Sequence, residues 1–396
     1  MIEWLPKENK LDNQQMSIIQ KILTSTGNHF ITGYPGTGKS VVLAWAALNA
    51  SGNNSILTYT NALVNCIKTG ILGAASAKKP NVQTIDSFIK SEVEQDVLFV
   101  DEAQDLSQKN HSLPTLAGRC KKIVFAADSE QSIYKETISL EEIKQYFDIS
   151  SENVHHLDIN YRMTKEMLDV VKVFFPYRTI KIESGRLNTD VEISRGITHR
   201  PTEGYRWIFE KAKSMFRPGR PAVVLFQFHL ELIEFIKVVA PMEGARSTLM
   251  GLLHETLSAL PDLLKDRQKW RETRAAWGEV NTKLSQLNIP IRFLGNGAGS
   301  LADADEQGLL YVMTCHSAKG LDFETVFVPD CERFEKEDSL VKNLFYVALT
   351  RARRNLFLLG SSSAQIHTKL TSCDFVRQVD VNVDALRQEE EDEDLF

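Results

Sequence analysis

The segment Gly33-Tyr34-Pro35-Gly36-Thr37-Gly38-Lys39-Ser40 constrains this chain more than any other. It fits the pattern G-x-x-x-x-G-K-[ST] at every position. The apolar stub His29-Phe30-Ile31-Thr32 before it has the length of a buried strand, and Val41 to Leu48 after it reads as a helix. Strand, glycine loop and helix make a cradle whose backbone N–H groups and helix N-terminus face a polyphosphate. In that arrangement Gly33, Gly36, Thr37 and Gly38 shape the loop, Lys39 neutralises the β- and γ-phosphates of ATP, and Ser40 ligates Mg2+. The alternative is a glycine-rich turn with no ligand, which pattern and context together argue against.

A second signal is Asp96-Val97-Leu98-Phe99-Val100-Asp101-Glu102-Ala103-Gln104-Asp105. Four apolar residues predict a buried strand, with two carboxylates at its C-terminal end. Phosphoryl transfer relies on metal, positioned water and cations more than on covalent chemistry. Asp101 is therefore expected to hold Mg2+, directly or through water, and Glu102 to orient and deprotonate the attacking water. Lys122 to Asp128 repeats the theme of a buried strand ending in an acid, and Asp128 and Gln131 can sense the γ-phosphate. A capped turn is the plainer account of either residue alone. Upstream, Asp12 can cap a helix over Gln14 to Leu23, and Gln15 can pair with an adenine edge as donor and acceptor; a surface glutamine is the plainer account. Ser55 to Asn61 and Val82 to Phe88 read as strand ends, which line the ligand crevice of a parallel α/β sheet. Tyr59 and Phe88 can stack on bases there, unless they pack in a core.

A chain of 396 residues suggests two domains. No apolar run is long enough to span a bilayer, and the N-terminus lacks the basic and apolar regions of a signal peptide. The five cysteines are scattered without a CxxC pair, which points to a reducing cytoplasm and away from structural zinc. The net charge of −6 equals the six acids of Glu389 to Asp394, so the remaining chain is near neutral. Charge alone thus neither demands nor excludes a polyanionic partner.

Further motifs complete a set: Asn160-Tyr161-Arg162, Thr314-Cys315-His316-Ser317-Ala318-Lys319-Gly320-Leu321-Asp322-Phe323, and Tyr346-Val347-Ala348-Leu349-Thr350-Arg351-Ala352. In this order, with the glycine loop and the acidic strand end, they resemble a superfamily 1 helicase of the UvrD/Rep type over residues 11 to 354. The resemblance implies an α/β fold of two RecA-like domains with parallel sheets and ATP in the cleft between them. It implies arginine fingers at Arg162 and Arg351 that reach across to the γ-phosphate, Tyr161 stacked on adenine, and Asp322 on the ribose. It also implies that Thr58, Asn61, Thr84, Thr314 and His316 track the nucleic-acid backbone, with Tyr59 and Phe88 beside them. Surface ion pairs for the arginines and a core position for His316 are what these residues would suggest without the family pattern. The expected organisation is residues 1–155 as the ATP-binding domain, 156–243 with 289–380 as the second domain, 244–288 as a helical insertion, and 381–396 as an acidic tail.

The chain departs from the family in four places. Only Ile89 to Asp96 separates the Thr84 and Asp101 motifs, where family members carry a large insertion. The second insertion is reduced to a helical segment. Lys135-Glu136-Thr137 replaces an aromatic-Arg-Gly-Ala stretch that helps to stack bases, and Val41 stands where a family arginine often packs near the base. The expectation is an ATPase and translocase on single-stranded DNA, 3′ to 5′ by resemblance, with weak or partner-dependent unwinding. A regulatory clamp is the alternative. In the insertion, Leu253, Leu257, Leu260 and Leu264 share a helical face and Pro261 is expected to start or kink a second helix carrying Trp270, Trp277, Val280 and Leu284. This segment is either a hairpin packed on the second domain or an arm for a second protein subunit or a strand. The acidic tail closed by Leu395-Phe396 is similar to the tips of single-stranded-DNA-binding proteins and suggests such a partner.

Overall fold

The computed structural model describes residues 5–74, 79–107, 113–128, 136–176, 191–243, 247–304 and 308–384. The chain forms two compact units, the first running to Met163 and the second beginning at Thr164. Gln131, Lys135 and the acidic residues 389–394 lie outside the described residues.

The first unit is built on β1 (His29–Gly33), β2 (Asn54–Thr58), β3 (Asn81–Thr84), β4 (Gln95–Val100), β5 (Cys120–Ala127) and β6 (Val154–Leu157). They form one sheet in the order β3-β2-β4-β5-β1-β6. Every pairing is parallel. Strands covered on both faces need apolar residues at successive positions, and all five residues of β2 and the last five of β5 are buried accordingly. Thr32 lies opposite both Ala127 and His156, and Val100 opposite Phe125, so four neighbouring strands end almost level. That register carries the glycine loop, Asp101, Asp128 and the segment after Leu157 to one edge of the sheet. One face packs through Phe30, Leu57, Phe88, Leu98 and Phe125.

Two expectations change here. The domain break expected after residue 155 falls inside β6, which pairs with β1, so residues through Met163 stay with the first unit. The strand end expected over Val82 to Phe88 stops at Thr84. The Thr84 hydroxyl accepts from the Ser87 N–H at 3.2 Å and turns Ile85–Lys90 into a capped helix. Phe88 is then drawn fully into the core at 0% exposure, so its ring cannot stack on a base.

The second unit contains β7 (Glu192–Ile197), β8 (Ala222–Phe226), β9 (Ile291–Phe293), β10 (Leu310–Thr314), β11 (Phe323–Val328), β12 (Ala352–Gly360) and β13 (Arg377–Val379). Their order is β13-β7-β12-β11-β8-β10-β9, again parallel throughout. The expected α/β class, with a parallel sheet in each of two RecA-like units, is what the chain adopts. The helix Ser339–Leu349 ends before Arg351, and Arg353 and Arg354 stand in β12 rather than on the helix expected from sequence.

The insertion folds as helices Thr248–Lys265 and Trp270–Gln286. Pro261 lies within the first helix, and the second starts only at Trp270. Leu253, Leu257, Leu260, Trp277, Val280 and Leu284 are buried in the same cluster as β8, β9 and β10. Trp277 stacks on Phe293 of β9 with centroids 3.7 Å apart and planes 14° apart. The packed-hairpin reading therefore describes this segment, with Trp270 left exposed at its turn. Among the described residues no helix is long and apolar enough to cross a membrane, and all five cysteines are free. Because the hairpin shares the core of the second unit, Trp277→Ala should cost that unit about 3–5 kcal/mol in chemical denaturation. An unchanged unfolding midpoint would mean that the hairpin is a separate arm.

Candidate nucleotide-binding site

The glycine loop follows β1 and leads into the helix Lys39–Asn49, whose N-cap is Gly38 and which has no side-chain cap. Its first N–H groups are thereby left for a ligand. The loop carbonyls are each met by a donor from the protein. Lys39 Nζ donates to the Gly33 oxygen at 2.6 Å and to the Tyr34 oxygen at 3.0 Å. Asn160 Nδ2 donates to the Pro35 oxygen at 2.7 Å, and the Tyr161 N–H donates to the Gly36 oxygen at 2.8 Å. Gln15 Nε2 reaches the Thr37 oxygen at 3.4 Å. In a trans peptide the N–H points opposite the C=O, so carbonyls held outward direct the N–H groups of Gly36 and Gly38 inward.

Two glycines make this close approach possible. Gly36 has φ 82°, and a Cβ there would stand 2.7 Å from Arg162 Cβ. Gly38 has φ 88°, and a Cβ would stand 2.4 Å from Gln15 Nε2. Both conformations strain any other residue, and at Gly36 the contact with Arg162 Cβ also leaves no room for a side chain.

Opposite the loop, Ser40 Oγ donates to Asp101 Oδ2 at 2.5 Å. A hydroxyl beside a carboxylate is the hard-oxygen pair that suits Mg2+, which completes its shell with water and phosphate oxygen. Among the described residues no cluster of three or more His, Cys, Asp or Glu side chains is arranged to hold a metal. Glu102 follows at φ 55°, a left-handed conformation that costs a non-glycine residue about 1–2 kcal/mol. Gln104 Nε2 donates to Glu102 Oε2, and Gln104 Oε1 accepts from the Asp128 N–H at 2.9 Å. The strained carboxylate is thus fixed from β5.

Lys39, Asp101, Glu102 and Asp128 are all buried. Burial pushes the Asp101 carboxyl up to about 6, with the Glu102 charge adding to the rise and Ser40 and Lys39 opposing it. Burial lowers the Lys39 ammonium, against the pull of Asp128, Glu102 and Asp101, and Arg162 adds to the lowering. Arg162 therefore lies within electrostatic reach of Lys39.

Arg162 was expected to reach across from the second domain. It belongs to the first unit instead, because Asn160 Oδ1 accepts from the N–H groups of Arg162 and Met163 at 3.0 and 2.9 Å while Nδ2 holds the loop. Tyr161 is 41% exposed and its hydroxyl bonds Asp12. Gln15 is not a surface residue: Asp12 and Gln15 form a capping box, and Gln15 Nε2 also donates to the Thr37 oxygen. Its neighbour Gln14 bonds the backbone of His156 and Asp158. Asp12 caps the helix as expected from sequence, whereas Asn160, Gln104 and Gln14 are positioning residues that the sequence reading missed. Asn160 and Gln104 were visible only as neighbours of Arg162 and Glu102 within their motifs.

The other first-unit residues line separate strand ends. Thr58 is fully buried, which removes its hydroxyl from a phosphate, and Tyr59 is half-buried against the core. Asn61 is exposed at the start of a helix capped by Thr60. In the second unit Thr314 repeats the role of Thr84: its hydroxyl accepts from the Ser317 N–H at 3.2 Å, and His316 follows half-buried. Asp322 pairs with Arg353 at 3.0 Å. Arg351 is buried at 1% exposure, and its guanidinium donates to the Val347 and Leu321 carbonyls and the Thr350 hydroxyl, each at 3.0 Å.

Residues 27–219 match the family described as Schlafen group 3, DNA/RNA helicase domain, and residues 309–359 match the UvrD-like helicase C-terminal domain. The chain belongs to superfamily 1 of the helicases. As a superfamily 1 member it is 32% identical over 133 residues to ATP-dependent DNA helicase UvrD1 of Mycobacterium tuberculosis and of Mycobacterium bovis. That match covers 30% of this chain and only 16% of the mycobacterial protein. Among solved structures, the Arterivirus nonstructural protein 10 helicase aligns at 15% identity and TM-score 0.42, over 91% of this chain and 64% of that one. The PRRSV helicase aligns at 15% identity and TM-score 0.44, over 89% and 56%.

The raised Asp101 pKa makes a signed prediction. An acid whose folded pKa exceeds its unfolded value stabilises the fold at low pH, and that stability is lost as pH rises from 3.8 through about 6. Without nucleotide and Mg2+, Asp101→Asn should raise the melting temperature by several degrees at pH 8 and leave it unchanged near pH 4. Equal shifts at both pH values would show that Asp101 is not held ionised at a cost.

Proposed function

We propose that this chain is a nucleic-acid-stimulated ATPase that steps along single-stranded DNA, in the 3′ to 5′ direction of the UvrD/Rep type. The observation that carries the ATPase half is the outward anchoring of the loop carbonyls opposite the Ser40–Asp101 pair. Lys39 would leave its carbonyl partners for the β- and γ-phosphates, and the N–H groups of the loop and helix start would take the remaining oxygens. Ser40 and Asp101 would hold Mg2+, which supplies positive charge against the phosphate oxygens. Glu102, fixed by Gln104, would orient the attacking water and take its proton. Arg162, in the same unit as the loop, would add a cation at the phosphates. Arg351 would join it only after exchanging its present carbonyl partners, so its role would depend on nucleotide state.

The strand-tracking half draws on the family and on Thr84 and Thr314, which cap equivalent turns at strand ends in the two units. A second reading has its own support. Only residues 91–94 join the helix Ile85–Lys90 to β4, so no accessory domain interrupts the first unit there. A chain without that domain can use ATP to clamp a strand or a partner rather than to separate duplex. Displacement of streptavidin from an end-labelled strand distinguishes stepping from clamping.

The direct test is ATP turnover with single-stranded DNA, duplex DNA or RNA. Single-stranded DNA should raise the rate at least tenfold. Lys39→Ala should abolish turnover, and Glu102→Gln should bind nucleotide but lose on the order of 10²-fold or more in kcat. Turnover that survives both substitutions would contradict the assigned roles.

A further inference from the structure

The edge of the first sheet away from the glycine loop holds a cavity that the nucleotide chemistry does not use. β3, β2 and β4 are neighbours, and with Ser55 opposite Asn81 and Asn54 opposite Val97 their N-terminal ends lie close together. Between these ends and the last turn of the helix Lys39–Asn49 lies a space of about 290 Å3. The helix meets it at Ala47. Its axis rises about 12 Å from Lys39 to Ala47, so the cavity and the glycine loop are separate places.

The polar lining of the cavity is mostly carboxamide. Asn54 is 7% exposed; its Nδ2 donates to the Ala50 oxygen at 2.9 Å, and its Oδ1 is buried with no hydrogen-bond partner among the described residues. Gln95 is 8% exposed, and among the described residues no hydrogen bond engages its side-chain amide. Asn81 adds a third amide from β3. A buried amide with unmet donors or acceptors is costly, and it calls for a polar occupant.

One cation stands beside these amides. Lys79 is half-buried and donates to the Ala74 oxygen, which leaves ammonium hydrogens to give. Asp96, next to Gln95, is already engaged: it accepts from the Asn53 N–H at 2.7 Å and pairs with Lys121 at 2.8 Å. Pro80 and Val93 supply apolar surface.

We propose that this cavity binds a nucleoside monophosphate, with its base against the amides of Asn54, Asn81 and Gln95 and its phosphate on Lys79. A carboxamide presents a donor and an acceptor side by side, which matches the donor–acceptor edge of a purine. Proline and valine receive the face of a flat ring, and one ammonium suits one phosphate. The volume lies at the lower end for small-molecule sites and suits a single nucleotide rather than a strand. Neither the site nor its ligand depends on strand tracking.

The test is calorimetric titration of adenosine monophosphate and of adenosine into the full chain and into Lys39→Ala, which disables the glycine loop. One monophosphate should bind per chain in both, with a Kd on the order of 10–100 µM. Gln95→Leu, which keeps the side-chain bulk, should weaken both ligands about tenfold. Lys79→Gln should weaken the monophosphate about tenfold and leave adenosine unchanged. Should Gln95→Leu lower the melting temperature, Asn81→Ala, at an exposed position of the lining, makes the same test. No binding, or binding that the lining variants leave unchanged, overturns the proposal. Binding lost in Lys39→Ala and kept in Lys79→Gln places the ligand on the glycine loop and overturns it as well, while leaving the ATPase reading intact. Inorganic phosphate that displaces the monophosphate at equal concentration shows a bare anion site and overturns the base contacts.

Discussion

Three successive carbonyl groups of the glycine loop are held from outside the loop, and the rest of the nucleotide site follows from that. Asn160, Tyr161 and Gln15 take the oxygens of Pro35, Gly36 and Thr37, while Lys39 at the end of the loop takes those of Gly33 and Tyr34. A flexible glycine segment would otherwise satisfy its carbonyls with water or with its own backbone, and its N–H groups would point in no fixed direction. Here peptide planarity turns an outward carbonyl into an inward N–H. The anchors come from the helix Asn13–Thr24 on one side and the turn after β6 on the other, so the loop is braced between two elements of the same unit.

The charges of the site make sense on the same terms. Three buried carboxylates, Asp101, Glu102 and Asp128, stand near one buried ammonium, Lys39. Such an excess of negative charge is costly in a low dielectric unless a cation joins it. Mg2+ and the phosphates would bring both signs, and Lys39 is already placed to change partners. Glu102 adds backbone strain to this, held by the Gln104 bridge to β5. Strain and surplus charge collected at one edge of the sheet are features that folding alone does not call for.

Much of this was legible in the sequence, for a physical reason. Parallel strands buried on both faces must be apolar at successive positions, so Val97–Val100 and Ile123–Ala127 announced themselves as strands. Lys39 and Ser40 open the helix after the glycine loop, and Asp101 and Glu102 follow β4, the strand and helix context that the sequence suggested. What was not legible depended on partners far away in the chain. Asn160 meets Pro35 across 125 positions, and no local pattern predicts that contact. Phe88 looked like a base platform because its segment resembled a strand; the Thr84 cap made it a helix and turned the ring inward. Gln15 read as a surface glutamine or an adenine reader, and burial and a capping box take it off the surface. Arg351 read, apart from the family pattern, as a surface ion pair, whereas it is buried and its guanidinium donates to the Val347 and Leu321 carbonyls.

The claim that outside donors create the phosphate-binding loop is tested most directly by nucleotide titration of Asn160→Ser. Serine can still cap the turn through Arg162 and Met163 but is too short to reach Pro35. The account predicts that affinity for Mg2+–ATP falls about tenfold while the melting temperature without nucleotide moves by only a few degrees. Unchanged affinity would show that the loop orients its N–H groups without the Asn160 anchor.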